Sequence, residues 1–179
     1  MKIAKLLLFT LLAVSFTSCN KDDDGNSEFT LTMENFSGTY EVSSFNERTL
    51  DVDIDNGIET NTTTTLVGSS FQGTYVFNSD GTYVMDAQYT ITETVVVENN
   101  TPVVDTYTVS DDHSGTYTIN TSDQSITITY MDGGFTETTT FTIENFSSTG
   151  VTLNYIDINE DPSNGNTYDL RGEIKLVRQ

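Results

Sequence analysis

The stretch Ser125-Ile126-Thr127-Ile128-Thr129-Tyr130 alternates apolar and hydroxyl side chains, and this alternation decides the fold class. Successive side chains of a β-strand point to opposite faces, so Ile126, Ile128 and Tyr130 share one face while the hydroxyls share the other. Such a pattern is typical of an antiparallel strand with one face in a core and the other in water.

The same pattern continues on both sides of this stretch. Residues 151–155 alternate in the same way, and Tyr168, Leu170, Ile174 and Leu176 share a face near the C-terminus. Turn sequences separate the alternating segments: Asn78–Gly81, Glu98–Pro102, Asn120–Gln124, Asp132–Gly134, Ser147–Gly150 and Asp161–Gly165. We therefore predict an all-β protein, an antiparallel up-and-down barrel of about 8–10 strands over residues 35–179.

The tripeptide Gly-Thr-Tyr occurs at Gly38–Tyr40, Gly73–Tyr75, Gly81–Tyr83 and Gly115–Tyr117. Its spacing is too irregular for a repeat architecture, so we predict that each glycine begins a strand and each tyrosine begins the inward face. We expect these tyrosines and one more to line the lumen: Tyr40, Tyr75, Tyr83, Tyr117 and Tyr130. Tyrosines in that position can fill a small barrel or leave a cavity, and both alternatives stay open.

The N-terminus has the pattern of a secretory signal. A basic start at Met1–Lys5 precedes the apolar segment Leu6–Val14, which is too short to span a hydrocarbon core of about 30 Å. The small and hydroxyl-containing segment Ser15–Ser18 follows, and then Cys19, the single cysteine, which resembles the lipid-attachment cysteine of bacterial lipoproteins. The resemblance implies a signal peptide over residues 1–18 and a lipidated, flexible acidic tether over residues 19–34. The alternative is an ordinary signal peptide with an incidental cysteine.

The segment Lys21–Asp24 resembles the surface-export signal of lipoproteins in the Bacteroidetes group. That resemblance implies an outer-membrane protein, held by its N-terminal lipid and exposed at the cell surface. The alternative is that these residues serve only as a solvated tether.

The charge balance limits the partners. The chain has 27 acidic and seven basic residues, with a formal net charge of −20. Such a chain repels phosphate backbones, which excludes nucleic-acid binding. It also repels an anionic membrane surface, so the lipid would have to hold the protein there.

A family resemblance runs through most of the chain. The segments Phe36–Val42, Phe77–Tyr83, Gly115–Ile119 and Phe141–Leu153 resemble the lipocalin-like domains of Bacteroidetes lipoproteins. The resemblance implies a barrel whose lumen takes a small apolar or amphipathic molecule. Lipocalins pack an aromatic residue at the closed end of the barrel, often under an arginine. Here the resemblance assigns that role to Tyr40, with Arg171 or Arg178 as its cap.

Signals for catalysis are weak. The single histidine, His113, lies in a polar stretch that we interpret as a solvent-exposed loop, and its neighbours Asp112 and Ser114 do not make a triad by adjacency. No nucleophile elbow or phosphate-binding glycine loop is found. We expect no enzymatic activity and no cofactor.

Two acidic segments have the spacing of calcium ligands. Asp51–Gly57 and Asp157–Asp161 both place carboxylates at alternate positions, as hard oxygen ligands require. In the first, however, glycine occupies the seventh position rather than the sixth, and Thr62 occupies the twelfth. The alternative is that both are acidic edges that limit pairing between molecules.

These observations lead to one functional hypothesis and one alternative. We expect a lipid-anchored surface protein that binds a small apolar or amphipathic ligand. The alternative is a structural or accessory lipoprotein with a filled barrel that interacts with a partner protein or glycan. The absence of Trp, the usual platform for stacking sugars, disfavours the glycan.

Overall fold

The computed structural model describes residues 29–179, and they form a closed barrel of antiparallel strands. The predicted fold class is therefore confirmed. The strands follow one another around the barrel in chain order, and the last pairs with the first. They are β1 Gly38–Asp55, β2 Ile58–Phe77, β3 Thr82–Val97, β4 Val103–Asn120, β5 Ser125–Asp132, β6 Phe135–Ser147, β7 Gly150–Glu160 and β8 Thr167–Arg178.

A short helix, α1 (Met33–Phe36), precedes β1. Thr32 caps it, because its hydroxyl oxygen accepts a hydrogen bond from the Asn35 amide at 3.0 Å. Both Leu31 and Phe36 are buried, so the boundary predicted between residues 34 and 35 falls inside the folded unit. The predicted signal peptide, Cys19 and the Lys21–Asp24 segment lie outside the described residues. Within residues 29–179, no helix is long and apolar enough to cross a bilayer.

The barrel has two different ends. The connections after β2, β4 and β6 lie at the same end as α1, which we call the closed end. The other four connections surround the opposite end, which we call the open end. At the closed end, the Phe36 ring packs 5.0 Å from that of Phe77 and 5.9 Å from that of Tyr117. An aromatic cluster thus fills this half of the lumen.

The predicted turns all fall at junctions between strands. The turn between β1 and β2, Asn56-Gly57, was not among them. Both residues have positive φ, 52° and 79°, as a two-residue hairpin turn requires. Its Asn-Gly sequence is a strong hairpin signal, which the calcium-like spacing of the Asp51–Gly57 segment obscured.

Two of the Gly-Thr-Tyr glycines lie inside long strands. The prediction that each begins a strand is wrong for Gly73 in β2 and for Gly115 in β4. A Cβ atom at Gly73 would lie 2.0 Å from the Asp86 carbonyl oxygen, and one at Gly115 would lie 2.0 Å from that of Thr129. These glycines allow neighbouring strands to approach closely, and the strands continue through them.

The β5–β6 hairpin pairs with β4 and β7 over only part of the length of those strands. β5 pairs with β4 over Gly115–Asn120, and β6 pairs with β7 at Thr142–Glu144 and Ser147. Nearer the hairpin tip, neither strand pairs with β4 or β7, so the wall of the barrel is interrupted at the open end on both sides of the tip.

Candidate functional site

A cavity of about 170 Å³ lies in the lumen, and every strand except β7 contributes to its lining. Its apolar lining consists of Val42, Phe45, Phe71, Met85, Ile128, Phe141 and Ile174. The side chains with polar groups are Tyr75, Tyr83, Tyr89, Asp111, His113, Tyr130 and Thr139. A mostly apolar wall with a few convergent polar groups is the usual composition of a small-molecule site.

The predicted lumen tyrosines divide between this cavity and the packed closed end. Tyr75, Tyr83 and Tyr130 line the cavity. Tyr40 and Tyr117 belong to the core instead: the Tyr40 hydroxyl donates to the Phe36 carbonyl at 2.7 Å, and the Tyr117 hydroxyl donates to that of Asn78 at 2.8 Å. The closed half is filled and the next level of the lumen is hollow.

Arg178 caps the closed end. Its Nη2 donates to the Tyr40 hydroxyl at 2.6 Å and to the Asn35 carbonyl, and its guanidinium carbon lies 5.1 Å from the centre of the Tyr40 ring. Arg171, the other arginine considered for this role, is exposed and pairs with Asp169 at 2.8 Å. Arg178, at the end of β8, therefore covers Tyr40, near the start of β1.

The interpretation of His113 as a solvent-exposed loop residue is wrong. It lies within β4, is half-buried and lines the cavity. Its ring stacks on Tyr130 with centroids 4.3 Å apart, and its Nδ1 lies 2.9 Å from the Tyr83 hydroxyl. Inward residues of β4 are the odd-numbered ones, so the alternation from Tyr107 to Tyr117 was the signal that could have located it.

Asp111 is the one carboxylate among the residues that line the cavity. It accepts a hydrogen bond from the Tyr89 hydroxyl at 2.5 Å. Burial, followed by this hydrogen bond, raises the pKa of Tyr89. Neither residue stands out in the sequence, because acidic side chains occur along the whole chain and their number hides the one that faces inward.

The Tyr75 hydroxyl is deep in the lumen and has no hydrogen-bond partner among residues 29–179. Burial, followed by the negative charge of Asp111, raises the pKa of Tyr75. The side chain is half-buried by exposed area, so its hydroxyl faces the open space of the cavity and is available to a molecule there. The cavity therefore contains a polar group that a bound molecule can satisfy.

Three carboxylates face the lumen between the cavity and the open end, on β1, β3 and β4. Glu47 pairs across β1 and β2 with Leu66, Leu66 with Glu93, and Glu93 across β3 and β4 with Asp105. We call Glu47, Glu93 and Asp105 the acidic belt. Tyr155 of β7 lies at the same level of the barrel, and its hydroxyl donates a hydrogen bond to the Glu47 carboxylate.

Gly172 makes the contact between Tyr155 and Glu47 sterically feasible. It lies in β8, opposite Tyr155 on one side and Glu47 on the other. A Cβ atom at this position would lie 2.0 Å from Cζ of the Tyr155 ring. The tyrosine can therefore reach across β8 only because the residue it covers has no side chain.

The environment of the tyrosines shifts all of their pKa values in the same direction, upwards. The pKa is raised in all nine, and burial is the largest cause in each. At the closed end, burial raises the pKa of Tyr117 to about 12. Nearer the open end, Glu93, Asp105 and Glu47 add to burial in raising the pKa of Tyr107. The neighbouring charges that act on this side chain are negative.

The two calcium-like segments meet at the open end, where side chains of both line a depression. Asn166 Nδ2 donates to Asp53 at 2.5 Å, and Asp161 accepts from the amide and hydroxyl of Ser163 at 2.9 and 2.6 Å. Within residues 29–179, no three or more His, Cys, Asp or Glu side chains are arranged to hold a metal ion.

The fold and the cavity define the class of the protein: an eight-stranded antiparallel barrel with one end filled and a small hollow in its lumen. No protein-family model matches the chain, and neither a curated protein nor a solved structure matches it.

Proposed function

We propose that this protein is a lipid-anchored, lipocalin-like surface protein that binds a small apolar or amphipathic molecule in its lumen. The observation that carries the proposal is the cavity of about 170 Å³, with apolar walls and an unpartnered Tyr75 hydroxyl. A cavity of about 150 Å³ suffices for a benzene-sized molecule, so the hollow suits a single ring or a short chain.

The open end provides a route to this cavity. Two cavity residues lie on β6, where the wall is interrupted. Thr139 is in the part of β6 that does not pair with β7, and Phe141 directly precedes the paired part. A ligand could pass beside the β5–β6 hairpin, where the wall is interrupted, without breaking hydrogen bonds between strands. Ligand-binding barrels require such an opening because a closed and packed wall excludes entry.

The position of Phe29, the first described residue, is compatible with an anchored arrangement. Phe29 packs against Phe146 at 4.9 Å and lies 5.7 Å from the Arg178 guanidinium carbon, at the closed end. A lipid at Cys19 would therefore connect the membrane to the barrel through a segment that joins it at the closed end and leaves the open end unobstructed. Mass spectrometry of the protein from its native membrane tests lipid attachment, since it would detect a diacylglycerol mass on Cys19.

Native mass spectrometry of the full-length protein after exposure to a metabolite and lipid extract tests binding. We expect a discrete added mass of a small molecule. In Thr139→Trp, the larger side chain should fill the cavity, and the added mass should disappear.

Thr138→Trp is the matched control, because Thr138 lies on the exposed outer face of the same strand. It should retain the added mass. Equal retention by both variants would contradict binding in the cavity, and an apo mass in every extract would favour a filled, structural barrel.

A partner protein is the second candidate, favoured by exposed apolar side chains around the open end. Phe135 at the tip of the β5–β6 hairpin is 73% exposed, and Met131 and Val103 are also exposed. Contiguous exposed apolar patches mark many interaction sites. Cross-linking on intact cells, compared between the natural protein and Phe135→Ser, tests this role: loss of one specific partner band would support it.

A further inference from the structure

Within residues 29–179, no lysine or arginine side chain faces the hollow part of the lumen, where His113 is the one imidazole and contacts Tyr83 and Tyr130. Arg48, Arg171 and Lys175 are exposed on the outer face of their strands. Arg178 faces inward, but it is at the closed end and is engaged with Tyr40. The carboxylates near the cavity thus form no ion pair with a lysine or arginine among the described residues.

The acidic belt contains an unfavourable pair. Glu93 and Asp105 lie directly opposite each other across β3 and β4. Like charges directly opposite each other destabilise a sheet. A nearby opposite charge would offset that destabilisation. A positive group in the lumen would offset the repulsion between Glu93 and Asp105. It would also be attracted by the negative charge of Glu47.

Asp111 adds an attachment point inside the cavity. Its carboxylate accepts from Tyr89 and lies near enough to Tyr75 to raise the pKa of that hydroxyl. A protonated amine has several N–H donors, which could reach both the Asp111 carboxylate and the Tyr75 oxygen. The faces of Tyr83 and Tyr130 would attract the same positive charge.

We propose that the lumen selects a small organic cation, whose ammonium group binds Asp111 and Tyr75 while its apolar body occupies the aromatic and aliphatic walls. The inference rests on the proposed function, because it assigns a ligand class to the same cavity. The acidic belt attracts the cation towards the open end, and Asp111 holds it. The cavity volume limits the apolar body to about one ring.

Three probes of similar shape and different charge test the proposal: phenethylamine, phenethyl alcohol and phenylacetate. Their dissociation constants are measured by calorimetry with the full-length protein, near neutral pH and at low ionic strength. We expect the amine to bind at least about tenfold more tightly than the alcohol, because a close charge pair commonly contributes 1.4 kcal/mol or more. The carboxylate should bind most weakly.

Asp111→Asn locates the interaction. It preserves an oxygen that can accept from Tyr89 and removes the charge, so amine affinity should fall about tenfold while alcohol affinity stays the same. Asp112→Asn is the matched control, since it makes the same change one residue away on the exposed outer face. A melting curve for each variant verifies folding.

Two results would overturn the cation inference while the cavity remains a binding site. One is alcohol binding as tight as that of the amine. The other is an equal loss of amine affinity in Asp111→Asn and Asp112→Asn. If none of the three probes binds, the cation inference fails together with the proposed binding of a ring-sized molecule.

Discussion

The closed and open ends of the barrel use the same alternation of inward and outward residues, and their interiors differ completely. At the closed end, Phe36 of α1 and the inward strand residues Tyr40, Phe77 and Tyr117 are at most 2% exposed. Nearer the open end the inward positions hold the acidic belt and Asp111 among the tyrosines. Alternation thus determines which face is inside, and the size and charge of the inward residues decide whether that inside is filled or hollow.

The largest loss of stability should come from truncating an aromatic side chain at the closed end. Phe77→Ala should lower the free energy of unfolding by about 3–5 kcal/mol, because it leaves a cavity in the aromatic cluster. Phe135→Ala, the same substitution at the exposed hairpin tip, should change it by less than about 0.5 kcal/mol. Urea denaturation measures both, and similar losses would contradict the division into a packed and an open end.

A smaller loss should follow from removing the cap. Arg178→Leu should lower the free energy of unfolding by about 1–3 kcal/mol, since the Asn35 carbonyl and the Tyr40 hydroxyl lose a buried charged donor. Arg171→Leu is the control and should leave the unfolding midpoint unchanged, because that arginine is exposed. If Arg171→Leu had the larger effect, Arg178 would not be the cap.

High pH should destabilise the closed end. The pKa of Tyr117 is about 12 in the folded protein against 10.0 for a free tyrosine. A raised pKa means that folding favours the neutral hydroxyl, so this contribution is complete below pH 10 and is lost as the pH rises towards 12. Urea midpoints over this interval should fall less steeply in Tyr117→Phe than in the natural protein. An unchanged slope would show that Tyr117 ionises as freely when folded as when unfolded.

The smallest effect should be a gain in stability at the open end. Asp105→Asn removes the repulsion with Glu93 and should raise the free energy of unfolding by about 0.2–1 kcal/mol. Asp112→Asn relieves the corresponding pair with Asp86 on the outer face and should give less, because both of those side chains are exposed whereas Glu93 is half-buried. Added salt should reduce the difference between the two variants. A loss of stability in Asp105→Asn would mean that Asp105 makes a favourable contact.

Strand alternation and turn chemistry were predictable because they depend on near neighbours in the chain. Ile126, Ile128 and Tyr130 face inward as predicted, and the turn at Asn78–Gly81 joins two strands as predicted. His113 was not predicted, because its acidic and hydroxyl neighbours resemble a loop unless β4 is known to continue through them. The pairing of β4 with β3 is a contact between distant segments that the local pattern does not contain.

The sequence by itself determined that the chain forms an antiparallel barrel, because period-two alternation interrupted by turns can bury its apolar face in few other ways. It also supplied a strong excess of carboxylates. Only the tertiary structure decided which of them face inward, which arginine covers Tyr40 and which tyrosines remain beside a cavity. Those outcomes depend on strand register and on the distance between side chains from different strands, which closure of the barrel establishes.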